Sequence, residues 1–541
     1  MNKNTSAGMT TATAALTLLF AAAGCKQPSS DAAAAAPNAD PVPAPAPMME
    51  EPYVEIDETP LNELYFSVDR LLLDGKTNEA NAAFSAALDA PEFAKFKNRV
   101  FSTNIRFLLF TRQFDEAQSA YLNALRLSPE IAEPGFDTIY GAYLNEGDND
   151  AALAWARVLA TQDIGEHLRL TATGWLIDSL ARTGDTDGAV AEITAALGKF
   201  PAAGLADKIA STAHDAVAAG NAGFAAKILA AVEASEKKDA PEFATLRKTL
   251  PIRIAAAEGA WDKAAAAVTT VIADTPDQPL QQAVSFAIQT ARRAKNFAAV
   301  EQIASAVVLD ERAAAKERTR SLAAREWVGV IFAEDAARKA EYPARLEKLL
   351  QLKLPASQVF GIFTRYFYDI LDDLEVLKAV VPIADKLYPQ LADESSQQVL
   401  NSHLLDASFL LDDYDRSLAL LNKGFQDRDE DWHKIAIVKV NAHKAHAEKR
   451  YDDAVKYFRE FMGLLKDEDT ADPVTDIVYS RETLLGNNEK RIGDILKEAG
   501  NADEAAKAYA AAKAHYETAL TAEKISAPTK AYIEEQVRGL E

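Results

Sequence analysis

Cysteine is almost missing. Cys25 is the only one in 541 residues, so no intramolecular disulfide and no cysteine-based zinc site can form. Cations are also short: 58 Lys and Arg face 81 Asp and Glu, for a net charge of −23. That deficit argues against nucleic acid as a partner, because phosphate backbones need a cationic footprint. Alternating runs of β-branched residues are scarce, which excludes a large sheet. Tryptophan numbers five. What the chain does have is alanine within a hydrophobic content of 48%. Alanine forms helices best and lets them approach closely. A chain this long exceeds one compact core, so the expectation is all-α, in several domains or one extended array.

A short phrase recurs. Gly75 precedes Ala80 by five residues, and the same offset links Gly147 to Ala152, Gly184 to Ala189, Gly220 to Ala225, Gly259 to Ala264 and Gly500 to Ala505. From Gly147 the next three of these glycines follow at intervals of 37, 36 and 39 residues, and Gly75 to Gly147 is 72. A period near 36 marks a stacked helical array. Each glycine suits a left-handed helix end. Asp148 and Asp185, just after Gly147 and Gly184, suit the cap of the next helix. Further second helices are expected from Phe297, Tyr342, Leu374, Tyr414 and Tyr451. Between 310 and 410 the phrase drops out and the register loosens.

Within this frame Phe114-Asp115-Glu116-Ala117, Tyr121, Ala124 and Pro129 resemble the second helix of a tetratricopeptide repeat. Ala80, Phe84 and Ala87 resemble it too, as do Ala189, Ile193, Ala196 and Pro201, and the set Gly493, Leu496, Gly500, Ala505, Tyr509 and Ala512. Asn104 and Ile105 depart from the family's Leu-Gly. The resemblance implies an α-solenoid of stacked helix-turn-helix repeats, about twelve helix pairs at this period. It implies the fold and is nearly silent on function.

The N-terminus is similar to a bacterial lipoprotein signal. Lys3 precedes the apolar run Ala15 to Ala23, which is too short to span a bilayer, and Gly24-Cys25 closes it. Ala22 stands where that family has leucine. The resemblance implies diacylglycerol on Cys25 and a membrane anchor, and Lys26 after the cysteine implies the outer membrane, facing the periplasm. Eight prolines between 28 and 60, mixed with Ala, Ser and Asp, make the following stretch a linker. The expected organisation is signal peptide 1–24, lipidated cysteine and linker 25–60, N-terminal repeats 61–310, degenerate helical repeats 311–410 and C-terminal repeats 411–541.

Motifs for chemistry are weak. Gly75-Lys76-Thr77 lacks the earlier glycine of a phosphate loop, since position 70 is Arg70. Ser235 to Lys238 fits a bare Ser-x-x-Lys without its companion motifs. His443 and His446 could share a helix face, but a zinc site needs more ligands. The acidic groups Asp427 to Asp431 and Asp467 to Asp469 lack the glycine and terminal glutamate of a calcium loop. No catalytic residue, metal or cofactor is expected.

Two stretches suit a partner. Residues 292–325 are basic in an acidic chain; they read as a solvated face with i, i+4 pairs or, as the resemblance suggests, as a clamp in which Arg318, Arg320 and Arg325 hold a carboxylate-bearing peptide, as some tetratricopeptide proteins do. In 359–371, Phe360, Phe363 and Phe367 would share one helix face, which either packs between neighbouring helices or forms a partner groove with Tyr366 and Tyr368 exposed. The sequence thus points to a non-catalytic, membrane-tethered scaffold for protein or peptide partners in the bacterial envelope, with envelope assembly among the processes such proteins serve. The alternative is a surface glycan-binding lipoprotein similar to the starch-utilisation lipoproteins.

Overall fold

The computed structural model describes residues 58–540 apart from 335, 426–429, 467–469, 472–477 and 522–524. The expected signal peptide, Cys25 and the linker up to residue 57 lie outside these, as do Asp427 and Asp429 of the first acidic group and all of the second. Contacts cluster into two compact units, one ending at Thr319 and the other beginning at Arg320. Each is all-α, apart from a two-residue antiparallel pairing of Thr470–Ala471 with Val478–Tyr479 in the second.

In the first unit seven helix pairs follow one another, from Thr59–Leu73 with Thr77–Asp89 to Asp277–Arg293 with Phe297–Val308. Five more pairs follow from Glu317–Glu334 with Tyr342–Gln351, and the helix Ala527–Arg538 closes the chain. These twelve pairs match the expected number of tetratricopeptide-like repeats. The helices expected from Phe297, Tyr342, Leu374, Tyr414 and Tyr451 begin at those residues.

The turn inside a pair explains the repeated phrase. Gly75, Gly147, Gly184, Gly220, Gly259 and Gly500 all have φ between 70° and 83°, a conformation that a Cβ makes costly. At Gly220 the amide donates to the Val217 carbonyl, and the next amide, Asn221, reaches back to Ala216 at 2.8 Å. This pair of bonds satisfies carbonyls that the helix end would leave open. The residue after the glycine then starts the next helix. Asp148, Asp185 and Asn221 accept hydrogen bonds from Ala151, Gly188 and Phe224 respectively.

The same joint also occurs without glycine, which its sequence does not announce. Arg112, Lys295, Asp412 and Lys449 take φ of 60°, 53°, 58° and 59° between the helices of their pairs. The same backbone hydrogen bond recurs there, the amides of Gln113, Asn296, Asp413 and Arg450 donating to the carbonyls of Leu108, Ala291, Ser408 and Ala445. The pairs between Glu317 and Leu387 differ. Their helices are joined through the 3-10 segments Ala336–Glu341 and Tyr368–Ile370, which is why the phrase vanishes there.

Five residues past the joint comes the contact that sets how close the two helices lie. Ala80, Ala117, Ala152, Ala189, Ala225, Ala264 and Ala454 are completely buried, and a larger side chain would push the pair apart. In the Arg481–Glu498 and Ala502–Leu520 pair the approach is tighter. A Cβ on Gly493 would stand 2.5 Å from Tyr509. Tyr121 bridges neighbouring pairs as expected. It is buried, its hydroxyl donates to the Ala132 carbonyl at 2.5 Å, and its ring meets the edge of Trp155 at 6.2 Å.

The joint predicts opposite effects from opposite exchanges. Gly184→Ala should lower stability by about 1 kcal/mol, and Lys449→Gly should raise it by a similar amount. Urea unfolding of the two variants beside the parent reads both signs.

Candidate functional site

The basic stretch does not form one cationic face. Arg312 is committed to structure: it binds the Asp310 carboxylate at 2.7 Å and the Thr269 carbonyl at 2.9 Å. Arg318 has an exposed side chain, while its amide, with the amide and hydroxyl of Thr319, donates to Asp277. Burial opposes the charge of Asp277, but these hydrogen bonds outweigh it and hold the carboxyl below its usual range. Arg320 is only 7% exposed, and its Nε finds no acceptor. Arg325 is exposed, beside Glu326. Of the three arginines singled out from the sequence, Arg320 therefore points into the protein, although the seven-residue spacing does leave Arg318 and Arg325 outside.

The aromatic stretch is mostly core. Phe363 and Phe367 are buried with Val359 and Ile362 on the helix Ala356–Phe367, and Phe360 is half-buried. Tyr366 lies flat on Phe332, centroids 4.5 Å apart and planes at 2°. Tyr368 is 50% exposed and sets its ring edge against Phe367 and His403. Nearby, the Arg338 guanidinium donates to Glu341 at 2.7 Å, and this pairing, with Arg345, holds Glu341 at about 2 against the opposing effect of burial. Arg345 also lies over the Trp327 ring and donates to the Trp327 carbonyl.

Behind Tyr368 runs a line of buried polar groups of which the sequence had singled out His443 alone. His403 and Asp406 lie on the helix Glu394–Leu410, and Lys439 and His443 on the helix Glu430–Ala447. Asp406 is 3% and Lys439 8% exposed. Asp406 Oδ1 and His403 Nδ1 have no hydrogen-bond partner. Lys439 Nζ sits between two rings, 5.7 Å from the centroid of Phe409 and 5.8 Å from that of Phe461. Burial pushes the Lys439 ammonium down to about 7, only partly offset by Asp406. It raises Asp406 well above the carboxylate range and brings His403 down to about 4. His443 is pushed well down, by burial first and then by Lys439 and Arg491. A signal was available: Leu404-Leu405-Asp406-Ala407-Ser408-Phe409-Leu410 places one acid in an apolar run, and a buried acid is costly unless neutral or paired.

The other sequence motifs fall into structural roles. Gly75-Lys76-Thr77 is one of the joints. The Ser235 hydroxyl donates to the Val232 carbonyl at 2.7 Å. His443 and His446 part company: His443 is enclosed by Phe409, Tyr414 and Phe458, whereas His446 Nε2 meets Glu498 at 2.9 Å. Among the described residues no group of three or more His, Cys, Asp or Glu could hold a metal ion. No described helix is long and apolar enough to cross a membrane.

No protein-family model matches the chain, and no curated protein matches it. Among solved structures, the complex of Naa15/Naa10 bound to HypK-THB is 14% identical, covering 89% of this chain and 78% of that one, at a TM-score of 0.27. So loose a superposition supplies no argument. The tetratricopeptide-like pairing stands on the joints and packing described above.

The buried line predicts a pH dependence. The folded pKa of Lys439 lies below its unfolded value, so the unfolded chain binds more protons between about 7 and 10.5. The cost of burying this amine is therefore greatest below pH 7 and is relieved as pH rises. Asp406, raised, works in the opposite sense until it ionises. Between pH 7 and 9 the Lys439 contribution should rise by on the order of 2 kcal/mol, and Lys439→Met should remove it. The difference between parent and variant, followed by hydrogen exchange in the helix Glu430–Ala447, isolates this residue.

Proposed function

We propose that the protein is a membrane-tethered scaffold of tetratricopeptide-like repeats that holds protein or peptide partners in the bacterial envelope, without catalysing a reaction. The observation that carries the reading is the repeated joint, which recurs in pair after pair and leaves helix surfaces of varied chemistry beside one another. Repeat stacks of this kind offer extended surfaces to partners. The tether rests on sequence: the single cysteine follows a short apolar run and Gly24, and a linker rich in proline follows it. In this reading residues 1–24 are removed, Cys25 is lipidated, and 25–60 connects the anchor to the repeats. Lys26 favours the outer membrane, with the repeats facing the periplasm. Two acyl chains or more give stable anchoring.

Arg325 and Tyr368, both exposed in the second unit, are the partner contacts that this reading favours there; Arg318 is a separate candidate in the first. An arginine and a tyrosine are the residue types that most often carry interface energy.

The test has two arms. On fractionation of envelopes the parent protein should sediment with membranes, and Cys25→Ala should release it; a variant that stays membrane-bound would refute the lipid anchor. Crosslinking in native envelopes should identify a recurrent protein partner. Arg325→Glu with Tyr368→Ser should then cut that crosslink by about tenfold, the equivalent of 1.4 kcal/mol. An unchanged yield would remove these two residues from the partner site.

A further inference from the structure

The first two helix pairs carry an apolar face that the next five pairs lack. Leu73 and Phe110 each stand two residues before a left-handed joint, at Gly75 and Arg112. They are 89% and 81% exposed. The same position in the next five pairs is Asn145, Arg182, Ala218, Ala257 and Arg293. Phe66, seven residues before Leu73 and so on the same side of its helix, is 76% exposed.

The helices Thr59–Leu73 and Lys97–Phe110 lie side by side. Tyr65 meets Thr103 through their hydroxyls at 3.1 Å, and Arg99 pairs with Glu58 at 2.5 Å. The joints at 75 and 112 are 37 residues apart. That offset matches Phe66 with Thr103, Asp69 with Arg106, and Leu73 with Phe110 on one face. The second of these helices is basic. From Ala94 to Arg112 the chain holds Lys95, Lys97, Arg99, Arg106 and Arg112 and no acid. Arg112 pairs with Glu146, while Arg106 is exposed and makes no ion pair within 4 Å among the described residues.

The complement lies in the sequence just before this face. At Met48 the alanine- and proline-rich linker changes to Met48-Met49-Glu50-Glu51-Pro52-Tyr53-Val54-Glu55-Ile56-Asp57, with five apolar residues, four acids and no cation. The next residue, Glu58, already reaches Arg99 on the basic helix. Ten residues extended reach about 33 Å, more than the roughly 21 Å length of a 14-residue helix, so this segment can run the length of the face.

We propose that residues 48–57 dock as a strap over this face, with Ile56, Val54 and Tyr53 covering Phe66, Met49 and Met48 covering Leu73 and Phe110, and the carboxylates of the segment beside Arg106 and its basic neighbours. Attachment at Glu58 keeps the strap at high effective concentration, so a modest affinity is enough. The strap does not require a lipid on Cys25. Where the chain is anchored, it leaves only 26–47 as free tether, with a reach of about 70 Å at roughly 3.1 Å per residue.

The test places a photo-crosslinking amino acid at position 53 of the full chain and maps products by mass spectrometry, using a mixture of light and heavy-isotope protein. The expected result is crosslinking within one chain to peptides from 59–73 or 97–112, reduced about fivefold or more by Phe66→Ser with Phe110→Ser, or by Arg106→Glu. These positions are exposed, and circular dichroism confirms that the variants fold. Products that join light to heavy chains would assign the face to a second copy and overturn the strap. So would products elsewhere in the chain, or yields that the variants leave unchanged. Membrane fractionation reads the anchor separately, so failure of one reading is distinct from failure of the other.

Discussion

The structure depends on the left-handed residue between the two helices of a pair. A helix ends with open carbonyls, and a single residue at positive φ turns the chain so that the following amide reaches back five residues to one of them. At Gly220 and Asn221 this happens with a glycine, and at Lys449 and Arg450 without one. In both cases the next helix starts within a residue or two and is held against the first. The distance between them is then set by the residue five past the joint, which is why that position is a buried alanine in pair after pair. Sequence period, turn conformation and helix packing are thus one constraint seen at three scales.

That constraint explains which parts of the fold can be read from sequence. Glycine at the joint is visible because its conformational role admits few other residues. The buried alanine is visible because it recurs at a fixed offset. Phe297, Tyr342, Leu374, Tyr414 and Tyr451 could be placed at helix starts even where the glycine was missing, since an apolar residue after a turn begins a new periodic run. Arg112, Lys295, Asp412 and Lys449 could not be recognised as joints. Nothing in a lysine's identity signals φ near 55°; the hydrogen bond from the following amide to the preceding helix and the packing of the next one impose it.

The candidate sites were less legible because exposure belongs to tertiary structure. Arg318 and Arg325 share a helical face by spacing, and both are exposed; Arg320 lies two residues along and turns inward. Tyr366 and Tyr368 are likewise two apart, yet one is stacked on Phe332 and the other reaches solvent. The buried line from His403 to His443 crosses neighbouring helices, so no local pattern contains it. Only the single acid at Asp406, in an otherwise apolar run, gave notice of it.

A repeat also supplies its own internal control. Where pairs share the same joint, a residue that breaks with its counterparts cannot be attributed to the demands of the turn. Leu73 and Phe110 are exposed where later pairs place Asn145 or Arg182, so folding the pair does not require them to be apolar. Asp406 and Lys439 are the reverse case: polar groups in a layer that the helices could fill more cheaply with leucine. Both departures incur a cost that the repeat itself does not need, in exposed apolar surface or in desolvated charge. Stability alone therefore does not account for either, and the chemistry specific to this chain is best sought at those positions rather than at the joints.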